Sequence, residues 1–236
     1  MLLKSLREEV LEANLELVRR GLVLYTFGNA SGISRQEGLV AIKPSGVPYD
    51  KLTPEQIVIT NLDGKIVEGK LRPSSDLATH IELYRQFPAI GGVAHTHSEF
   101  ATAWAQARRP IPCFGTTHAD YFHGPVPVTA ALTADEISNG YEKNTGTAIC
   151  RILKNDTVMD VPAALVAGHA PFCWGVNAAE AAHNSAILEY VAKMACYTLG
   201  VRPDTQPIES ELLEKHHRRK HGPGAYYGQD GKGPVR

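Results

Sequence analysis

The sequence predicts an α/β fold in a single domain, with helices and strands intermingled along the whole chain. Three observations lead there. Amphipathic helical segments alternate with short apolar β runs. No internal repeat or long linker divides the chain. Its 236 residues, against a norm of about 150 per domain, are enough for one core that buries roughly 70–75% of the unfolded surface, so disulfides are not needed for stability.

The elements follow from local patterns. Leu2, Leu6, Val10, Ala13, Leu17 and Val18 recur at three- and four-residue steps, which predicts a helix over 2–20 stopped by Gly21. Residues 22–27 read as a short β run, 28–32 as a small-residue loop, and 38–42 as a second strand. Segments 57–61 and 65–68 flank Asp63-Gly64, a dipeptide suited to a type I′ hairpin turn. Pro73-Ser74-Ser75-Asp76 opens a helix to about residue 86, with a serine as N-cap and an acid in the first turn. Residues 90–96 form a glycine-containing buried strand, followed by a helix over 99–107. A short strand at 126–129, a mostly helical stretch over 133–154 and a core strand at 164–168 come next. Long helices over 178–199 and 209–220 complete the pattern, and the tail 230–236 reads as flexible.

Charge and composition narrow the function. The 24 basic and 25 acidic residues leave a net charge of −1, which argues against a binder of nucleic-acid backbones but leaves room for one small anionic ligand. Cys113, Cys150, Cys173 and Cys196 contain no CxxC pair and read as free thiols. Acidic residues interrupt the apolar run of the first helix, so it is not a signal peptide, and no stretch approaches the roughly 20 apolar residues that span a bilayer. No membrane association is expected, and the expected compartment is the cytoplasm.

Several segments could carry chemistry. His95 and His97, two apart at a strand end, point to one face; they are either two exposed imidazoles or half of a metal site. His169 also follows an apolar β run. Three such histidines with one carboxylate suit Zn²⁺ or another borderline divalent ion. Asp76 could supply the carboxylate or could simply favour its helix N-terminus. Gly28-Asn29, Ser45-Gly46 and Ser74-Ser75 offer N–H groups and hydroxyls to an anion, and Lys43 could add positive charge. Residues 115–124 gather hydroxyls, imidazoles, a carboxylate and a phenol. The basic run 215–221 reads as a solvated helix face or a weak nucleic-acid patch, and Tyr226-Tyr227 follows it in a glycine-rich segment.

Taken together and in order, these segments resemble the class II aldolase/epimerase family, and within it the ribulose-phosphate 4-epimerases. The carriers are Glu12-Ala13-Asn14-Leu15, Gly28-Asn29, Ile42-Lys43-Pro44-Ser45-Gly46-Val47, Ile66-Val67-Glu68-Gly69, Pro73-Ser74-Ser75-Asp76, and Ile90-Gly91-Gly92 with His95-Thr96-His97-Ser98. Gly115-Thr116-Thr117-His118-Ala119-Asp120-Tyr121-Phe122, Gly168-His169, His183-Asn184, Lys215-His216 and Ala225-Tyr226-Tyr227-Gly228-Gln229 continue the series. The resemblance implies a three-layer α/β/α sandwich around a mostly antiparallel sheet over residues 1–229. It implies a metal site of Asp76, His95, His97 and His169, holding one Zn²⁺ per subunit that Mn²⁺ or Co²⁺ can replace. Asp120 and Tyr227 would be the acid–base pair. Gly28, Asn29, Lys43, Ser45, Gly46, Ser74, Ser75, Thr116, Glu142 and His216 would bind a sugar phosphate. A C4 homotetramer with active sites between subunits is implied as well.

The implied reaction interconverts L-ribulose 5-phosphate and D-xylulose 5-phosphate, in pentose catabolism such as that of L-arabinose. Removing the C4 proton directly is difficult because C4 is not next to the carbonyl. Retro-aldol cleavage of C3–C4, rotation of the aldehyde and re-addition avoid that problem. This route needs two proton-transfer groups, one for each position of the C4 oxygen, which favours an epimerase over an aldolase of the same fold. A non-catalytic adducin-like scaffold should have lost the histidines, and this chain keeps all three.

Overall fold

Seven strands hydrogen-bond into one sheet in the computed structural model, which describes residues 1–221, 225 and 226. They are β1 (Asn29–Ser34), β2 (Leu39–Ile42), β3 (Val58–Asn61), β4 (Ile66–Glu68), β5 (Gly92–His95), β6 (Ala163–Leu165) and β7 (Pro171–Gly175). Their order across the sheet is β4-β3-β2-β1-β5-β7-β6, and every adjacent pair is antiparallel. The helices are α1 (Lys4–Arg19), α2 (Leu77–Gln86), α3 (Glu99–Gln106), α4 (Thr116–Ala119), α5 (Ala134–Ser138), α6 (Tyr141–Ile152), α7 (Ala178–Val201) and α8 (Ser210–His221).

Successive side chains of a strand face opposite sides, and here both sides are buried. Val40 and Ile42 of β2, Val93 of β5, and Phe172 and Trp174 of β7 join one core with Leu77, Ile81 and Tyr84 of α2 and Ile149 of α6. Ala41 and Ala94, from the alternate positions, join a second core with Val10, Ala13 and Leu17 of α1 and Ala178, Ala181 and Ala182 of α7. Cys173 of β7 joins a third core with Trp104 of α3 and Leu188 and Val191 of α7. Helices therefore cover both faces, and the three-layer α/β/α arrangement is the observed one. All four cysteines are free thiols. Among the described residues no helix is long and apolar enough to cross a membrane.

Most expected elements are present, and the exceptions have local causes. Residues 22–27 are not a strand: Tyr25 has φ 54, and Leu24 and Tyr25 stand exposed in a turn. The neighbouring small residues, expected as a loop, form β1 instead. They are small because helices cross them closely. A Cβ on Gly32 would lie 2.9 Å from Leu6 Cδ1 and 3.7 Å from the Ala178 Cβ. The expected strand at 126–129 is reduced to isolated bridges, Ile111 with Val126 and Val128 with Leu165. The run after Pro171, which the sequence pattern did not single out, is β7. Helix α2 starts later than expected, with Asp76 rather than a serine as its N-cap.

The start of β5 is packed against backbone, and just before it a Cβ on Gly91 would lie 1.9 Å from the Val176 carbonyl oxygen. A Cβ on Gly92 would lie 2.2 Å from the carbonyl carbon of Asn177, at the entrance to α7. That clash is with backbone and cannot be relieved by a rotamer change. Gly92→Ala should therefore destabilise the fold by about 3 kcal/mol or more, at the upper end of overpacking costs. Urea unfolding would measure it, and a midpoint equal to wild type would refute the packing argument.

Candidate active site

The site forms where three strands end together. His95 closes β5, and the register pairs it with Asn29 at the start of β1 on one side and Phe172 near the start of β7 on the other. An antiparallel neighbour begins where its partner ends, so Gly28-Asn29, His95-Thr96-His97 and the turn holding His169 meet at one edge. Gly28 allows the approach: it has φ 75, and a Cβ there would lie 2.8 Å from the His95 carbonyl oxygen. Asn14 of α1 pins the same edge. Its amide donates to the Ala30 carbonyl at 3.0 Å, and its carbonyl accepts from the Ala30 N–H at 2.9 Å, just beyond the point where β2 stops pairing with β1.

The three imidazoles form a near-equilateral triangle. Ring centroids lie 4.9 Å apart for His95–His97, 4.9 Å for His95–His169 and 5.1 Å for His97–His169. One nitrogen from each ring lies within 4.8 Å of the other two. His95 stacks on Phe172 at 4.2 Å, and its Nδ1–H donates to the Pro171 carbonyl at 2.9 Å. That bond leaves Nε2 as the lone-pair nitrogen, 3.2 Å from His97 Nε2. Burial pushes His95 down to about 3 and holds His97 and His169 below the usual imidazole range. Burial would raise the Asp76 carboxyl, but His95, His80 and the Asn29 amide together hold it below its ordinary value. Asp76 makes no side-chain cap bond to α2; its Oδ2 accepts instead from Asn29 Nδ2 at 2.7 Å. Its charge still stands at the N-terminus of α2, but its side-chain hydrogen bond runs to β1 and not to the helix.

These residues fit a divalent metal. Three neutral imidazoles converge, the buried Nδ1 of His169 has no hydrogen-bond partner among the described residues, and an ionised carboxylate lines the same cleft. This nitrogen-rich donor set suits a borderline ion such as Zn²⁺. Asp76 lies outside the triad of converging nitrogens.

The cleft has a volume of about 390 Å³, and its walls include Gly28, Asn29, Lys43, Ser45, Gly46, Ser74, Ser75 and Glu142 beside Asp76 and the three histidines. Eight of the ten expected substrate-binding residues thus share one cavity. Thr116 and His216 do not line it, and neither does Asp120; Tyr227 lies outside the described residues, as does the tail 230–236. The structure adds Tyr141, which no sequence signal singled out. As the first residue of α6, after Gly140 with φ 94, it lines the cleft with its ring 6.0 Å from that of His169. Burial, then Asp76 and Glu142, raise its phenol above the usual range, so it stays a donor.

Beneath the cleft, Ser31 Oγ contacts His80 Nδ1 and the Tyr84 hydroxyl, both at 2.7 Å, tying β1 to α2. Burial pushes His80 to about 4, so it is neutral.

Asp120 has a separate environment at the end of α4. Arg219 of α8 donates to both of its oxygens, Nε to Oδ1 at 2.9 Å and Nη2 to Oδ2 at 2.6 Å, and His216 Nδ1 meets Oδ1 at 3.0 Å. Burial works to raise this carboxyl, but Arg219 and then His216 hold it below the ordinary carboxylate value. The basic run 215–221 is therefore engaged with Asp120 and is not merely a solvated face.

Residues 8–196 match the family described as Class II Aldolase and Adducin N-terminal domain. An L-fuculose 1-phosphate aldolase of known structure is 25% identical over 91% of this chain and 95% of its own, with a TM-score of 0.77. YgbL of Klebsiella pneumoniae, an aldolase/epimerase/decarboxylase candidate, is 25% identical over 90% of this chain and 98% of its own, with a TM-score of 0.71. The L-fuculose-1-phosphate aldolase of Thermus thermophilus, at 24% identity and a TM-score of 0.66 over 86% of this chain and 98% of its own, shares the fold.

Lys43 gives this cleft a measurable signature. It is 2% exposed, and its Nζ lies over the Tyr49 ring at 4.6 Å. Burial lowers it from the ordinary 10.5 to about 8. Between those values the unfolded chain binds the proton and the folded chain does not, so this group makes stability rise with pH across about 8 to 10.5. Lys43→Met should be more stable than wild type at pH 7 and should flatten that rise in urea midpoints. Parallel pH profiles for the two proteins would refute this.

Proposed function

The chain belongs to the class II aldolase and adducin N-terminal domain family, and on that footing we propose that it is a metal-dependent enzyme acting on a phosphorylated sugar, specifically an L-ribulose-5-phosphate 4-epimerase serving pentose catabolism. The observation that carries this reading is the meeting, in one cleft, of a triad of neutral imidazoles with hydroxyl- and glycine-rich loops and a buried lysine. The triad suits a metal, and the loops and lysine suit a phosphate. A bound divalent ion, held by His95, His97, His169 and Asp76, supplies a Lewis acid for the anion that bond cleavage leaves.

The chain's own residues do the rest. Asp120 and Tyr227 serve the two positions of the C4 oxygen, one removing its proton before C3–C4 breaks and the other returning a proton after re-addition. The electron pair of C3–C4 passes into the C2 carbonyl, and glycolaldehyde phosphate forms as the other fragment and stays bound. Ser45-Gly46, Ser74-Ser75, Gly28-Asn29 and Lys43 hold its phosphate while the aldehyde turns. Thr116, Glu142 and His216 bind and orient the sugar. Because Asp120 does not line the cleft of its own chain, the reading includes a C4 homotetramer whose sites form between subunits, the chain acting in the cytoplasm. Full activity of a monomer in sedimentation would exclude that assembly.

An aldolase is the second reading, favoured by the similarity to an L-fuculose 1-phosphate aldolase. Incubating the purified protein with L-ribulose 5-phosphate separates the two. An epimerase yields D-xylulose 5-phosphate; an aldolase releases a free aldehyde and ketone. EDTA should abolish turnover, and His97→Asn should lose both the stoichiometric divalent ion and activity while keeping its melting temperature within a few degrees. Stoichiometric metal absent from active wild type would overturn the reading.

Ser75→Ala provides a further check. The phosphate is bound in ground and transition states alike, so KM should rise more than kcat falls. A kcat loss at unchanged KM would contradict a phosphate grip at this loop.

A further inference from the structure

We propose that Arg219 is a positioning residue for proton transfer: from α8 it grips both oxygens of Asp120 and leaves one acceptor position, on Oδ2, for a hydroxyl proton of the substrate. This rests on the reading of Asp120 as an acid–base group.

A carboxylate has about four lone-pair positions, two on each oxygen. Oδ1 accepts from Arg219 Nε at 2.9 Å and His216 Nδ1 at 3.0 Å, so it is filled. Oδ2 accepts from Arg219 Nη2 at 2.6 Å. Lys220 Nζ, at 3.8 Å from Oδ2, adds charge but is beyond hydrogen-bond range. Among the described residues, one Oδ2 position therefore stays open. The backbone is fixed as well, since His221 Nε2 meets the Asp120 carbonyl oxygen at 2.8 Å. A planar guanidinium is suited to this role: two parallel bonds set the carboxylate plane, which a lysine cannot do.

The grip also sets the protonation state. The charged groups facing Asp120 from α8 are His216, Arg219 and Lys220, all cationic or able to become so. Its own segment contributes His118, bonded to the Gly124 carbonyl, and Tyr121, whose ring carries Lys220 on one contact and His183 of α7 on another. The neighbouring carboxylates act on other partners: Glu214 pairs with His123 and Arg218, Asp160 acts on His217, and Glu180 and Glu16 act on His183. Asp120 is thus held as the ionised acceptor, and the second proton-transfer group must begin as the donor. The device is local, because α8 has no buried residue and docks through polar contacts.

The test uses the metal-loaded enzyme and its sugar-phosphate substrate. Arg219→Met should lower kcat roughly 10²-fold, of the order of a general-base contribution. It should also move the acid limb of the kcat/KM profile up by about one pH unit, as expected when a carboxylate loses its cationic partner. KM should change little. Arg219→Lys should bring the acid limb back towards wild type but leave kcat about tenfold low, because charge returns without the two-point grip. Glu214→Gln, which loosens the docking of α8 without touching Asp120, controls for simple undocking and should leave the limb in place.

An unmoved acid limb in Arg219→Met, or the same shift in Glu214→Gln, overturns the proposal. Asp120→Asn separates this from the parent reading. If that variant turns over like wild type, the acid–base assignment itself is wrong; if it is inactive while Arg219→Met behaves as wild type, only the role of Arg219 falls.

Discussion

The antiparallel pairing of β5 with β1 on one side and β7 on the other is the constraint on which the site depends. It brings the end of one strand beside the beginnings of two others, so residues more than seventy positions apart, such as His95 and His169, meet with ring centroids 4.9 Å apart. Were β7 parallel to β5, the turn carrying His169 would stand at the opposite end of a five-residue strand, roughly 15 Å away. No choice of side chain could then close the imidazole triangle. The Phe172 stacking and the Pro171 carbonyl bond that orient His95 come from the same register.

Packing on both faces keeps this edge rigid. The sheet has no wet side over its central strands, so its residues divide into large ones towards α2 and α6 and small ones towards α1 and α7. Gly32, Ala30, Ala41 and Ala94 are small because two helices lie against them. Buried polar groups on the same strands are paired into the helices: Asn14 onto Ala30, and Ser31 onto His80 and Tyr84. Each pairing avoids the cost of a buried unsatisfied group, about 1–3 kcal/mol, and each fixes β1 beside the cleft.

Charge is organised in two centres. In the cleft, burial keeps the imidazoles neutral while Asp76 stays ionised, the protonation pattern that metal ligation requires. Around Asp120, the basic last turn of α8 collects on one carboxylate. The neutral total charge of the sequence hides this local imbalance, since counts of lysine and arginine carry no information about which acid they face.

The sequence by itself determined much that depends on short range. Helical periodicity marked α1, α3, α7 and α8, Asp63-Gly64 marked the β3–β4 hairpin although Gly64 alone takes a positive φ and the turn is not type I′, and strand-end histidines two apart marked two corners of the imidazole triangle. The glycine- and hydroxyl-rich loops that line the cleft were also legible, because such residues at a turn have the same chemistry wherever the turn lies. Tertiary structure decided what depends on who packs against whom. Small residues 29–34 read as a loop by composition, yet they form a strand because α1 and α7 press on them. Residues 22–27 had strand-like apolarity but no partner to pair with. Tyr141 entered the cleft only because α6 lies against α2, and the basic run of α8 acquired its partner only because that helix docks on α4. Propensity and periodicity are properties of neighbours along the chain. A site assembled from strand ends and helix termini far apart in sequence is fixed by sheet register and close packing, which no local pattern encodes.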